Sequence, residues 1–304
     1  GWKLQTAQEK SWETERRGYL EPRPRERNEI TRQLLRDIFG EAALRTYRYK
    51  EYRSFRISIR VDGAQIGDEG DLPLSLCMGD DAEEMAKRLA EVRVESRQTA
   101  HQHDVYWVWA LTPEIDELVA QVHASRTMVE KYDQLRAQNE ITPEEASCLQ
   151  DEKNAVITHQ SRLRDKLTQA MEQGTGLFRG VAWDAASLGK NLSEILKKLF
   201  SIVVPDLYPK LDLGARPLKG DEAELLLKTV DLKALPQVFY AGENGLGLVV
   251  QDGAKLVPNP AADVAKEVLD YLVSEHSYGN KDTRTGRALE RRFGGMGYGW
   301  DRDM

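Results

Sequence analysis

Residues 53–66 read RSFRISIRVDGAQI, and this stretch decides the class of the fold. Its apolar residues alternate with serines and arginines, a period of two that predicts a half-buried β-strand. These apolar positions are Phe55, Ile57, Ile59 and Val61. The pair Asp62-Gly63 is typical of a two-residue hairpin turn, so a second strand is expected over Ala64 to Ile66.

The residues that follow extend this sheet. Leu72 to Leu76 alternates again, and Pro73 places that strand at an edge or at a strand start. Asp80 and Asp81 are expected to open a helix that runs to about Arg97. The run VYWVWAL, residues 105–111, is apolar on both faces and predicts a buried strand. The order β-β-β-α-β indicates a small open sheet with helices on at least one face.

A long helical hairpin is predicted over residues 113–173. Thr142-Pro143-Glu144-Glu145 forms a capping box with Pro at the first helical position, and residues 137–141 break the helical pattern. The second helix would be about 45 Å long at about 1.5 Å per residue. Lys153 and Gln160 occupy seam positions. Two interpretations stay open: an interaction arm, or an ordinary packed helical layer.

Helical signals also flank these elements. Asn28 is a plausible N-cap for a helix over Ile30 to Phe39. Residues 175–182 predict one short strand, and Leu188 to Val203 predicts an amphipathic helix that ends before Pro205. Near the C-terminus, helices are expected over 263–274 and 283–293, followed by a glycine-aromatic turn at 294–300 and a third helix capped by Asp301. This is the helix order of a winged helix.

These patterns predict an α+β fold with a small mixed sheet domain, a long antiparallel helical hairpin and a helical region that leads to a truncated winged-helix-like end. The predicted segments are an N-terminal helix and linker (1–27), a sheet domain (28–112), the hairpin (113–173), an α+β connector (174–257) and the incomplete winged-helix-like segment (258–304).

Composition excludes several classes of protein. Of the 304 residues 40% are hydrophobic and 31% are charged, with a mean hydropathy of −0.57, values that argue against a disordered chain or a membrane protein. No apolar run approaches the ~20 residues of a membrane-spanning helix. Cys77 and Cys148 are far apart in sequence, which fits a reducing compartment, so a cytoplasmic location and ordinary buried thiols are expected. The chain begins at Gly1 and is expected to be a piece of a longer protein.

Charge is unevenly distributed along the chain. Residues 1–60 carry 15 Lys+Arg and 9 Asp+Glu, a balance of +6, whereas the whole chain has a net charge of −7. A basic end of this kind is compatible with an arm that faces nucleic acid or with arginine-rich helices that are simply solvated.

No catalytic motif is apparent. Leu188 to Asn191 resembles the end of a phosphate-binding loop, but Asp184 and Asn191 replace the required Gly and Ser/Thr. Residues 242–247 (GENGLG) have the wrong spacing for a dinucleotide-binding loop. His101 and His103 lack a third metal ligand. Paired glutamates such as Glu83-Glu84 and Glu144-Glu145 occupy first turns of helices, where the helix dipole explains them. We expect no enzymatic activity, metal or cofactor in this chain.

The remaining candidate site is basic. Lys281, Arg284, Arg287 and Arg291 recur at three- and four-residue steps, so the three arginines would share one face of a helix that begins near Thr283. Such a face can contact DNA phosphates. Glu290 lies among the arginines, so weak, sequence-independent binding is expected.

Four stretches carry a resemblance to a known family. They are residues 53–66, the VYWVWALTPEIDELV unit (105–119) with its helical hairpin, residues 177–214, and FGGMGYGWDRDM (293–304). In this order they resemble the middle-to-late region of the large P-loop proteins of bacteriophage-exclusion (BREX) systems, the BrxC or PglY family. The family pattern has one or two prolines where this chain has Gly295-Met296-Gly297.

The resemblance implies a non-catalytic scaffold or assembly segment of a phage-defence ATPase. The ATPase domain, with its ATP and Mg²⁺, would lie upstream in the longer protein. Implied partners are a DNA methyltransferase, a phosphatase-like protein and smaller subunits, with duplex DNA as a further contact. The alternative is an autonomous winged-helix module that binds a partner or regulates transcription.

Overall fold

The structure is a computed structural model that describes residues 7–50 and 53–301. Within them the helices are α1 Ala7–Arg17, α2 Pro24–Phe39, α3 Ala42–Arg45, α4 Ala82–Glu95, α5 Pro113–Ala137, α6 Pro143–Met171, α7 Ala185–Leu188, α8 Leu192–Leu207, α9 Leu211–Gly214, α10 Glu222–Lys228, α11 Asp263–Ser277 and α12 Gly286–Gly294. The strands are β1 Thr46–Tyr49, β2 Arg53–Val61, β3 Ala64–Ile66, β4 Leu72–Gly79, β5 Val105–Ala110, β6 Thr175–Phe178, β7 Val181–Asp184, β8 Val249–Asp252 and β9 Lys255–Pro258. The fold is α+β, as the sequence predicts.

The chain divides into two compact units. Residues 7–45 and 57–199 form the first unit, and residues 46–50, 53–56 and 200–301 form the second. This division differs from the five predicted segments. The N-terminal helix, the sheet segment and the helical hairpin pack into one unit because α1 and α2 both lie on α5 and α6. The boundary between the two units falls inside α8, so the predicted connector (174–257) is divided between them.

The sheet of the first unit mixes parallel and antiparallel strands. Strand β4 pairs in parallel with residues 57–61 of β2 and with β5, while β3, β6 and β7 add antiparallel pairs. The predicted Asp62-Gly63 turn is confirmed, with φ angles of 48° and 78° at its two residues. The predicted single strand over 175–182 is wrong, because Arg179-Gly180 adopts positive φ and turns the chain into a second hairpin.

Helices cover both faces of this sheet. On one face α4 packs on a cluster formed by Cys77, Val92, Tyr106, Val108 and Leu177. Trp107 belongs to the opposite face, where its Nε1 donates to the carbonyl of Met171 at the end of α6 (3.0 Å). The buried β5 strand is apolar throughout because it has helices on both sides.

The predicted helical hairpin is confirmed, and helix α1 packs on it. Thr112 and Thr142 cap α5 and α6, and the predicted capping box of α6 is present. Trp12 of α1 packs with Met128, Tyr132 and Leu149 of the hairpin. The polar seam residues also have partners: Lys153 Nζ lies 2.7 Å from Asp133 Oδ1, and the Gln160 amide faces the Arg126 guanidinium. Within the first unit α1 and α2 both pack on the hairpin.

Three predicted helix boundaries are wrong. The helix predicted to start at Leu188 begins at Leu192, because Leu188 ends the separate short helix α7 and the Asn191 side chain caps α8. Helix α2 begins at Pro24, four residues before Asn28, because Pro24 is preorganised for a first helical position and Glu26 accepts the Arg23 backbone N–H (2.7 Å). Helix α8 continues through Pro205 to Leu207. Burial of Val203, Val204 and Leu207 offsets the backbone hydrogen bond that Pro205 cannot make.

The second unit combines short strands with C-terminal helices. Strand β1 pairs with residues 53–56 of β2, and β8 pairs with β9 in a separate two-stranded sheet. Leu235, Val238, Phe239 and Val249 form a small apolar cluster beside this sheet. The helix expected to start at Asp301 falls on residues 302–304, outside the described residues.

Candidate nucleic-acid interface

The predicted basic helix begins later than expected. A 3-10 turn covers Asp282–Arg284, and α12 starts at Gly286, with the Thr285 side chain accepting from the Ala288 N–H (3.3 Å). The sequence signal was Thr285, a good N-cap that the arginine spacing obscured. Arg284 therefore lies outside α12, and the prediction that three arginines share one helical face is wrong.

Arg284 stabilises the turn between α11 and α12. Its Nη1 lies 2.6 Å from His276 Nδ1, and its Nε donates to the carbonyl of Asn280 (3.0 Å). Lys281 is exposed in the same turn. Arg287 and Arg291 are exposed one helical turn apart on α12, so only these two form the expected pair.

Acidic residues balance the basic ones in this region. Residues 263–301 contain six Lys+Arg and seven Asp+Glu. Arg292 faces aromatic rings, with its guanidinium carbon 5.7 Å from the Tyr271 centroid and 5.5 Å from the Tyr298 centroid. Arg292 is itself exposed, so α12 offers three exposed arginines, Arg287, Arg291 and Arg292, interspersed with acidic residues rather than a continuous basic face.

The predicted glycine-aromatic turn, residues 294–300, packs together with Phe293 at the end of α12. The Phe293 and Trp300 rings stack with centroids 5.0 Å apart, and Tyr298 meets Phe293 edge-on at 4.8 Å. Trp300 Nε1 donates to the carbonyl of Lys210 (3.0 Å). The turn requires glycine at 297, where φ is 93° and the N–H donates to the carbonyl of Leu207 (2.9 Å). A proline could provide neither.

Two further glycines allow close packing around this turn. A Cβ on Gly214 would lie 2.6 Å from Cε2 of Trp300, and a Cβ on Gly299 would lie 2.7 Å from Cδ1 of Tyr208. Gly299 also accepts a hydrogen bond at its carbonyl from Arg53 Nε (2.8 Å). The residues around the turn come from distant parts of the sequence.

A partly exposed polar triad, which the sequence does not reveal, joins α11 to the turn. Lys210 Nζ donates to both carboxylate oxygens of Glu267 (2.8 and 2.7 Å), and the Tyr298 hydroxyl donates to Glu267 Oε2 (2.7 Å). The Lys210 hydrogen bond lowers the pKa of Glu267, and the Glu267 hydrogen bond raises the pKa of Lys210. No local pattern could have shown this triad, because its members are 31 to 88 residues apart.

A groove of about 620 Å³ lies between α11 and α12. It is lined by apolar side chains that include Phe293 and Trp300, and by Arg287, Glu290 and Asp301. Along the exposed side of α11, Leu269 and Val273 are 45% and 65% exposed and lie one turn apart. The region therefore presents apolar surface as well as exposed arginines.

The other sequence candidates have structural roles. Asn191 Oδ1 accepts from the Glu194 N–H (3.0 Å), so Asn191 caps α8 and the Gly189-Lys190 loop leads into this cap. His101 Nδ1 lies 2.9 Å from Asp104 Oδ2 and 3.2 Å from the Tyr106 hydroxyl. No group of three or more potential metal ligands is found in residues 7–50 and 53–301.

Both cysteines are free thiols. Cys77 is buried, and burial raises its pKa to about 11. Cys148 is partly buried, and burial raises its pKa as well. Neither thiol has the depressed pKa of a reactive cysteine.

Comparison with family models, curated proteins and solved structures gave no match to this chain. Among the residues that the structure describes, no helix is long and apolar enough to cross a membrane.

Proposed function

We propose that this chain is a scaffold segment of a bacterial phage-defence (BREX) ATPase protein. In this proposal it acts in the cytoplasm and supports assembly with the methyltransferase, the phosphatase-like protein and the smaller subunits of the system. ATP and Mg²⁺ belong to an upstream domain of the longer protein, and this chain does not itself catalyse a reaction. It also contributes a weak, sequence-independent contact to duplex DNA through Lys281, Arg287 and Arg291.

One observation carries the proposal: three of the four stretches that resemble this family meet at the glycine-aromatic turn. Arg53 comes from the 53–66 stretch, Tyr208 and Gly214 come from the 177–214 stretch, and both stretches pack on Gly299 and Trp300. These contacts give the residues that carry the resemblance a role in packing the turn. This supports a scaffold function.

The exposed apolar face of α11 supports an assembly function. Leu269 and Val273 expose large fractions of their side chains within the second unit. Adjacent exposed apolar side chains of this kind commonly mark contacts with other proteins. We therefore assign the subunit contact to α11.

Co-purification with separately purified BREX subunits tests the proposal. We expect the intact chain to retain at least one subunit, and Leu269→Ser/Val273→Ser to reduce the retained amount at least fivefold. The matched control is Lys266→Gln/Asp270→Asn, which changes two exposed polar residues of the same helix and should bind like wild type. Failure of the intact chain to retain any subunit contradicts the proposal.

The alternative is an autonomous winged-helix module. It is favoured by the β8–β9 hairpin followed by α11 and α12. A module of this kind would bind duplex DNA with sequence preference, whereas the scaffold would not. Selection from a pool of random duplexes distinguishes the two functions, because only the winged-helix module would enrich a consensus sequence.

A further inference from the structure

Helix α2 has one buried and one outward face in the first unit. The buried positions are Ile30, Thr31, Leu34, Leu35, Ile38 and Phe39. The outward positions are Arg25, Asn28, Glu29, Arg32, Gln33 and Arg36, which repeat at the three- and four-residue steps of a single helical face. This outward set, named the α2 groove here, lines a surface groove of about 700 Å³.

The charged residues of α2 differ in whether they have partners. On the side toward α5, Arg27 pairs with Asp116 (2.8 Å), and Glu26 lies 3.7 Å from His123. In the α2 groove, neither Arg25 nor Arg36 forms an ion pair or a side-chain hydrogen bond with any described residue. The uncompensated positive charge of α2 is therefore confined to the groove.

Arg32 lies at the middle of the groove and is only weakly compensated. Its Nη2 is 3.9 Å from Asp62 Oδ2, and its Nε is buried without a hydrogen-bond partner. The Arg32 side chain as a whole is 39% exposed and its one ion pair is long, so an acceptor that approaches from solvent can still bind the guanidinium. Phosphate oxygens are strong acceptors for guanidinium groups.

Spacing along the helix determines how many anions the groove can contact. Arg25 and Arg36 are eleven residues apart, which is about 16 Å at ~1.5 Å per residue, and Arg32 lies between them. This separation is too large for all three guanidiniums to converge on one phosphate group. Three arginines spaced along one helical face match a polyanion that carries several phosphates in a line.

We infer that the α2 groove binds the phosphate backbone of duplex DNA, through Arg25, Arg32 and Arg36. Asn28 and Gln33 supply amide donors between the arginines. Glu29 is the one carboxylate that lines the groove and leaves it with a net charge of +2, so binding is sequence-independent and sensitive to salt. This surface belongs to the first unit and is additional to the α12 arginines of the proposed function.

The apolar face of α2 argues against a membrane as the ligand. Helices that lie on a lipid surface insert apolar side chains from their exposed side. Here the apolar side of α2 is buried against α5 and α6, and the groove contains no large apolar residue. Its chemistry fits a polyanion in water.

Fluorescence anisotropy with a labelled 20-base-pair duplex across a NaCl series tests this inference. Arg25→Gln/Arg32→Gln/Arg36→Gln should reduce the magnitude of the slope of log K against log[NaCl] by about 2.7, the value for three lost phosphate contacts. Glu29→Gln should tighten binding at every salt concentration. The matched control is Arg93→Gln/Arg136→Gln/Arg162→Gln, which removes three exposed arginines from α4, α5 and α6 and should keep the wild-type slope.

Several outcomes overturn the inference. An equal reduction of the salt slope in the groove variant and in the control variant would show that DNA binding depends only on net charge. Absence of wild-type binding at 50 mM NaCl, or binding to phosphatidylserine vesicles but not to DNA, would also contradict it. Arg287→Gln/Arg291→Gln is measured in parallel. If only the Arg287→Gln/Arg291→Gln variant loses DNA binding, the DNA contact of the proposed function is supported and DNA binding by the α2 groove is refuted.

Discussion

Gly214 shows how one residue permits the packing of the glycine-aromatic turn. It lies at the end of α9, and an added Cβ would be within 3 Å of three Trp300 ring atoms. Trp300 is held by its Nε1 hydrogen bond to the Lys210 carbonyl and by stacking on Phe293. The ring is fixed on two sides and cannot move away from a new methyl group.

Gly214→Ala is therefore expected to destabilise the protein. Overpacking of this kind costs about 1–3 kcal/mol of the free energy of unfolding. Gly286→Ala is the matched control, because nothing lies within 4 Å of its Cβ position at the start of α12, and it should be neutral or stabilising by up to about 1 kcal/mol. Urea denaturation measures both, and equal stabilities of the two variants would contradict the packing argument.

Glu267 makes stability depend on pH. Its pKa is lowered from 4.5 in the folded protein, mainly by the hydrogen bond from Lys210. Its contribution is thus fully present above the unfolded pKa and is lost as the pH falls through the folded pKa.

Glu267→Gln should consequently reduce the loss of unfolding free energy between pH 6 and pH 3. Glu290→Gln serves as the control, since Glu290 is exposed and has no ion pair with a described residue, and it should keep the wild-type pH dependence. Urea denaturation at several pH values gives the comparison. An unchanged pH dependence in Glu267→Gln would show that the triad does not act as the geometry indicates.

Short stretches of sequence predict the turns and helix caps of this fold better than they predict which strands pair. The Asp62-Gly63 turn and the Thr142 capping box follow from sequence because each depends on residues close together in the chain. The Arg179-Gly180 turn was missed because arginine rarely adopts a φ of 48°. Pairing of β5 with β6 joins residues about 70 positions apart, a distance over which no local pattern carries information.

The same contrast applies to the candidate site. The glycine-aromatic turn was recognised as a unit, whereas its partners Arg53, Lys210 and Glu267 were not, since they are brought in by tertiary packing. Arg284 was placed on the wrong element because a one-turn shift of the helix start changes which arginines share a face.

The helical hairpin allows a test of whether it is an independent element. Residues 122–163 include Met128, Tyr132 and Leu149, on which Trp12 packs. Their deletion would also remove surface of α5 and α6 on which α1 and α2 pack. Replacing residues 122–163 by a short linker is expected to abolish cooperative unfolding of the first unit. Insertion of Gly-Ser-Gly-Ser after Asn139, in the exposed loop between the helices, should be tolerated.

Thermal unfolding followed by circular dichroism distinguishes the two interpretations of the hairpin. A deletion variant with a sharp transition would contradict the packed layer and support a separate arm. A broad transition in the insertion variant would show that the loop itself contributes to the packing.

The molecule carries two kinds of surface, one in each unit. The second unit presents the apolar side of α11, to which the proposed function assigns subunit contact, and the first unit presents the α2 groove, to which the further inference assigns DNA. A chain with a net charge of −7 can still bind DNA at a local basic surface, because charges farther apart than about 10 Å are largely screened at 0.1 M salt.

The scaffold proposal is tested most directly by hydrogen–deuterium exchange of this chain, alone and with the purified BREX subunits. We expect slowed exchange over α11, residues 263–277, when a subunit is added, and no such slowing in Leu269→Ser/Val273→Ser. Exchange over α11 that is unchanged by every subunit would refute the assignment of the subunit contact to α11.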